Sequence, residues 1–224
     1  MFLYRVVSIL HEYQSAFLSG LIVTFQLTLT VWLLGILCGS ALGIASARFP
    51  RLIGWPQQAL AFVVGGIPAI IVLYWMHYPL QELLGVVIEP LHTAVTALLL
   101  LNTFAVAEIV RAAFSDFPVR YIRAGLAAGL TRRTIIFSIQ IPLLLRQIMP
   151  GLIYVQVSIL HATLFASLIS VDELFRAGQR VNAQIYKPIE IYTALAVFYL
   201  SISLPLNALA AFLRSRVSVS LAQA

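Results

Sequence analysis

The chain has 224 residues, 61% of them hydrophobic and 10% charged, with a mean hydropathy of +0.98 and a formal charge of +6. Soluble domains run at roughly 45–50% apolar and about 25% charged residues, and a chain this short cannot hide the excess in a core. A soluble enzyme and a disordered tail are excluded, and so is a secreted disulfide scaffold, because Cys38 has no second cysteine to pair with. What remains is an all-α integral membrane protein, read as one domain over residues 1–224.

A helix needs about 20 apolar residues to cross a bilayer. The first such run, 16–47, holds no charged residue, and within it Gly35, Gly39, Gly43 and Ala47 recur every four positions. That spacing makes a smooth strip against which a second helix can pack closely, here expected to be one of the same subunit. Ala45-Ser46-Ala47 has the look of a signal-peptidase site, but the apolar stretch before it is too long and only Arg5 precedes it. The first helix is therefore expected to be retained.

The second span is expected at 57–76, with Gly65-Gly66-Ile67-Pro68 at mid-membrane. Proline removes a backbone donor and clashes with the preceding turn. Broken helices at the midplane mark transport pathways, which makes Gly66 and Pro68 candidates for lining one. A third span, 91–113, carries Asn102 and ends near Glu108 and Arg111, three apart and close enough to pair on one face as a structural clasp.

Residues 116–150 form a loop too regular for a disordered connector, in which helical spacing between Pro118 and Arg133 predicts a short amphipathic helix with its arginines and Tyr121 exposed. Such a helix suits an anionic lipid surface or a protein partner. The fourth span, 151–171, contains His161, the one ionisable side chain deep in a span. Intramembrane ionisable groups face a bundle interior or an aqueous cavity, so His161, with Gln156, Thr163 and Asn102, makes a substrate-path candidate. Metal or haem ligation is not expected, because no cysteine or second histidine shares a helical face with His161. The fifth span, 191–213, has no charged residue and contains Pro205.

Five spans put the termini on opposite sides. One set of loops sums to +8, through Arg48, Arg51, Arg111, Arg120, Arg123, Arg132, Arg133, Arg146, Arg214 and Arg216 against Glu108 and Asp116; the other sums to −2. Lys/Arg excess marks the cytoplasmic side, so the N-terminus is expected outside, and the C-terminus and the 116–150 loop inside. The basic balance is a topology signal and calls for no nucleic acid. The only lysine, Lys187, is followed by proline, so there is no phosphate-binding P-loop, and neither a G-x-S-x-G elbow nor an H-E-x-x-H pair is present. No catalysis is expected of this chain.

Arg123-Ala124-Gly125-Leu126-Ala127-Ala128-Gly129, followed by Ile139-Gln140-Ile141-Pro142, resembles the cytoplasmic EAA motif of ABC importer permeases. Gly129, Ile139 and Pro142 keep the motif's spacing, with Ile141 in place of leucine. Glu108-Ile109-Val110-Arg111-Ala112-Ala113 resembles the A-E-I-x-R-G-A segment of polar amino-acid permeases, and Val171 to Arg180 resembles their V-P-E-L-L-R-A-G-Q-R segment. The likeness runs from about residue 16 to 213 and is most specific in the second half.

The resemblance implies the permease fold of type I ABC importers: five transmembrane helices and a cytoplasmic coupling helix, here residues 119–133. It implies a bacterial inner-membrane subunit moving amino acids or related small polar solutes by alternating access. Its partners would be two ABC ATPase subunits, which hold the ATP and magnesium, a second permease subunit, an extracytoplasmic solute-binding protein and membrane lipid; this chain would bind no cofactor. The ATPase-coupling residues would be Arg120, Arg123, Ala124, Gly125, Gly129, Ile139 and Pro142. The departures matter: Arg123 stands where the motif has glutamate, Gly125 where it has alanine, and of the family's R-G-T-P only Gly66 and Pro68 remain. A reversed charge at the coupling contact favours a diverged half of a heterodimer over a homodimer. The alternative is a self-sufficient channel or secondary transporter working without an ATPase, the 119–133 helix then lying on lipid.

Overall fold

The computed structural model describes residues 2–222, with side chains described as far as Arg216. Every regular element among these residues is helical. Helix α1 (Phe2–Glu12) leads into α2 (Gln14–Arg48). A π-helical turn at Pro50–Gly54 then delivers the chain into α3 (Trp55–Gly66), α4 (Ala69–His77) and α5 (Pro79–Leu84). Helix α6 (Pro90–Ser115) is followed by two short helices, α7 (Val119–Ala127) and α8 (Arg132–Ile135). Helix α9 (Ile141–Ala162) tightens into a 3₁₀ segment at Thr163–Ile169, and α10 (Leu174–Ile185) and α11 (Pro188–Ala222) close the chain.

Four of these runs are long and apolar enough to cross a membrane: Gln14–Arg48, Pro90–Ser115, Arg132–Ile169 and Pro188–Arg216. The span expected at 57–76 is broken where Gly65-Gly66-Ile67-Pro68 suggested, into two helices bent by 96° between Gly66 and Ala69. Proline is the cause. Pro68 offers no N–H and pushes the residue before it out of the helical region; Ile67 is extended at φ −95°, ψ 127°. The fourth span is longer than the expected 151–171: the helical run is continuous from Arg132 to Ile169, passing through a π-helical segment at Ile136–Gln140 just before Pro142. The expected single helix between Pro118 and Arg133 is also corrected, to α7 and α8 with a turn between them. Helix α10, between the last two spans, was not anticipated as a separate element.

The centre of the fold is the α2–α6 pair. Lipid tails give apolar helices little reason to associate, so close packing of small residues has to supply it. Gly35, Gly39 and Gly43 are buried against α6 at Asn102, Val106 and Ala107. A methyl added at Gly39 would lie 2.6 Å from Val106 Cβ, and one at Gly43 would lie 2.6 Å from the Ala107 carbonyl oxygen. The glycine strip is thus spent within the subunit. Leu27, Val31, Leu73, Leu98 and Ile169 form a core shared by α2, α4, α6 and the 3₁₀ segment, with α4 packed on the last two. Val106, Val110, Phe117, Leu144 and Ile148 form another, near the end that bears α7.

Candidate functional site

Helix α7 is positioned from both ends. Pro118 precedes it, and Phe117 is buried beneath it with its ring 6.1 Å from that of Tyr121. Tyr121 is half-buried rather than exposed as expected, because it fills the space beside Phe117. At the far end Leu130 N–H donates to the Gly125 carbonyl and Gly129 N–H to the Leu126 carbonyl, both at 3.0 Å. These two bonds form the Schellman closure that needs a left-handed residue just past the helix, and Gly129 supplies it at φ +77°. Thr131 then caps α8, its hydroxyl oxygen accepting from Thr134 N–H at 3.2 Å.

Gly125 is the buried residue of α7: a methyl there would lie 2.8 Å from Ile135 Cγ1 and 3.7 Å from Ile139 Cδ1. Glycine in place of the motif's alanine therefore lets α7 lie down on the start of the next segment. The structure brings Gly125, Ile135 and Ile139 into one contact, with Pro142 one turn beyond. Arg120, Arg123, Ala124, Arg132 and Arg133 are exposed around this elbow. The Arg120 guanidinium stacks 5.2 Å from the Tyr121 ring centre, and none of the ion pairs among the described residues involves Arg123.

The proposed path residues do not gather in one place. Gly65, Gly66 and Pro68 lie exposed at the helix break, and a methyl on either glycine would meet nothing within 4 Å. Beside the break, a cleft of about 600 Å³ runs between α3, α6 and α9, from Gly65 past Phe62, Leu101 and Phe104 to Glu108. Glu108 accepts from Arg111 Nε at 3.1 Å, and a second bond from the guanidinium makes the pair bidentate. Asn102 and Gln156 are buried and exchange two amide bonds of 3.1 Å each. Asn102 also donates to the Val31 carbonyl, and the Trp32 indole N–H donates to the Gln156 carbonyl, both at 2.9 Å. This network spans α2, α6 and α9, leaving neither amide open to a solute. Thr163 is fully buried and donates to the Leu160 carbonyl at 2.7 Å. His161 is exposed, its ring edge-on to Tyr199 of α11 at 6.4 Å.

Glu173 was not anticipated. Fully buried, it caps α10 by accepting from Phe175 N–H and Arg176 N–H at 2.8 Å each, while Leu174 N–H donates to the Thr24 hydroxyl of α2 at 3.0 Å. Burial pushes the Glu173 carboxyl up to about 7, against which its two backbone donors pull. Next to it, Asp172 holds Arg176 at 3.0 Å and Arg180 at 3.1 Å. An acid directly before a stretch of helical periodicity is a cap signal that the sequence does carry.

The profile of the family described as the binding-protein-dependent transport system inner membrane component matches residues 35–219, most of the chain. The chain belongs to that family. Among its relatives, the glutamine transport system permease protein GlnP of Escherichia coli (strain K12) is 29% identical over 199 residues, 87% of this chain and 91% of that protein. The histidine/lysine/arginine/ornithine transport system permease protein HisQ of Salmonella typhimurium is 25% identical over 225 residues, 96% of this chain and 99% of that one. The fold of this permease matches a chain in the crystal structure of an amino acid ABC transporter with histidines at a TM-score of 0.79 and 24% identity, over 92% of this chain and 96% of that one. It also matches the MetNI methionine ABC transporter in an inward-facing form, with a TM-score of 0.62 at 20% identity over the same shares. This permease is the non-catalytic membrane component of its transport system, and hydrolysis of ATP belongs to a separate subunit.

Proposed function

We propose that the chain is one of two permease subunits of an ATP-driven importer for amino acids or related small polar solutes, worked by alternating access. The observation that carries this reading is the near full-length likeness to GlnP and HisQ, both named as amino-acid permeases. The same likeness weighs against a self-sufficient channel. The bent pair α3–α4 counts as the fifth crossing, with the N-terminus outside and the C-terminus and the α7–α8 elbow in the cytoplasm, as the charge asymmetry requires.

The broken backbone at Gly65–Pro68 supports a place on the path. Terminal carbonyls of a helix have no intrahelical partner, and hydrocarbon tolerates them only against protein or a wet cavity. Since no described residue comes within 4 Å of a methyl placed on either glycine, the break is open to the second permease subunit or the solute. His161 and, in the mostly apolar cleft beside the break, Glu108 contribute polar groups to that path, while Asn102, Gln156 and Thr163 stiffen its wall from behind.

The α7–α8 elbow is the coupling element. Nucleotide-driven closure of two ATPases would push on its exposed face, and the Gly125–Ile135–Ile139 contact would pass the push into α9. A positive charge at Arg123 requires an acidic counterpart on the ATPase, or a second, different permease subunit that makes the main contact. The solute-binding protein would deliver cargo from outside, near α10. The test is reconstitution of the chain with its ATPase and partner permease in proteoliposomes. Solute-dependent ATP hydrolysis and uptake support the reading; uptake of the same solute without any ATPase overturns it.

A further inference from the structure

We propose that the cleft between the start of α7, the start of α9 and the end of α11 is a binding site for an anionic glycerophospholipid of the cytoplasmic leaflet. The cleft holds about 480 Å³. Its lining combines apolar and aromatic side chains, Phe117, Tyr121, Leu143 and Leu213, with two arginines, Arg146 and Arg216. Neither arginine takes part in an ion pair among the described residues. Arg216 is held by stacking 5.1 Å from the Phe212 ring centre.

The depth suits a lipid. On the proposed orientation the cytoplasmic ends of the spans holding α9 and α11 lie on this side, which places Arg146 and Arg216 toward the inner headgroups. Leu145 in the lining and the neighbouring Phe212 are about half exposed, which leaves apolar surface beside the arginines for an acyl chain. Basic pockets between spans on the cytoplasmic side select anionic headgroups, while the apolar lining takes up a segment of acyl chain. The cleft also touches Pro118 and Tyr121, so an occupied site would brace the root of the proposed coupling elbow. The leaflet assignment rests on the orientation in the preceding section.

The experiment is native mass spectrometry of the assembled transporter, titrated with phosphatidylglycerol or phosphatidylcholine in detergent. The expected result is preferential retention of phosphatidylglycerol, reduced about fivefold for each arginine removed in Arg146→Gln and Arg216→Gln and kept in the doubly conservative Arg146→Lys/Arg216→Lys. Displacement by inorganic phosphate alone would assign the arginines to a free anion and overturn the lipid site. So would equal retention of both lipids by the unaltered protein, equal retention by the glutamine variants, or protection of the cleft by the ATPase in place of lipid. Labelling of Ser138→Cys in a Cys38→Ser background reports the orientation separately: reaction from the outer side would refute the leaflet and leave the lipid titration to stand or fall by itself.

Discussion

Replacing Asn102 by leucine would leave the Gln156 amide buried without its partner and push a branched side chain toward Gly35, which already abuts Asn102. An orphaned buried amide costs about 1–3 kcal/mol, so Asn102→Leu should lower the melting temperature of the detergent-solubilised protein. The paired change Asn102→Ala/Gln156→Ala, which leaves no orphaned side-chain amide, should recover part of that loss. Gly129 makes a different demand. No described residue comes within 4 Å of a methyl placed there, so what the position needs is positive φ. Aspartate tolerates that region better than most residues. Gly129→Asp should therefore insert and assemble normally but lower solute-stimulated ATPase activity several-fold, because it brings a carboxylate to the proposed ATPase contact; Gly129→Asn, neutral and of the same shape, should be milder. His161→Leu is expected to change the solute concentration for half-maximal uptake while leaving the melting temperature nearly unchanged, as its ring lies exposed beside Tyr199.

Among the elements, α10 carries a pH dependence whose sign follows from Glu173. Its carboxyl is raised from an ordinary value near 4.5 to about 7 in the folded protein. Between those values the folded state binds the extra proton, so the contribution is fully present below about 4.5 and is lost as the pH rises through 7. Thermal melts should show stability falling from pH 5 to pH 7.5, with a shallower fall in Glu173→Gln. The helices also show what the sequence could and could not carry. Long apolar runs marked α2, α6 and α11 because the membrane imposes length and apolarity directly. Pro68 marked the break but not its 96° angle, which goes with the packing of α4 on α6 and the 3₁₀ segment, far away in sequence. Asn102 and Gln156 looked like path residues because a polar side chain in an apolar helix serves a solute or another amide equally well. They lie 54 positions apart, and nothing local announces that they meet. Gly129 was legible as a turn, but Tyr121 was misread, since its half-burial comes from Phe117 on the other side of Pro118.

At the scale of the molecule, the chain combines a stiff centre and two exposed workpieces. The α2–α6 seam is closed by glycines and tied to α9 by the Asn102–Gln156 network. The helix break and the α7–α8 elbow stand out from it, one toward the proposed path and one toward the proposed ATPase, joined through α9. The account predicts that damage at the elbow reaches transport without touching insertion. The most direct measurement is ATP hydrolysis and solute uptake together, in proteoliposomes containing this permease, its partner permease and the ATPase, for the unaltered chain and for Gly129→Asp. The account predicts that solute and its binding protein stimulate both activities in the unaltered transporter, and that Gly129→Asp keeps basal hydrolysis while losing most of the uptake. Equal uptake by the two proteins, or uptake by the permease alone, would contradict it.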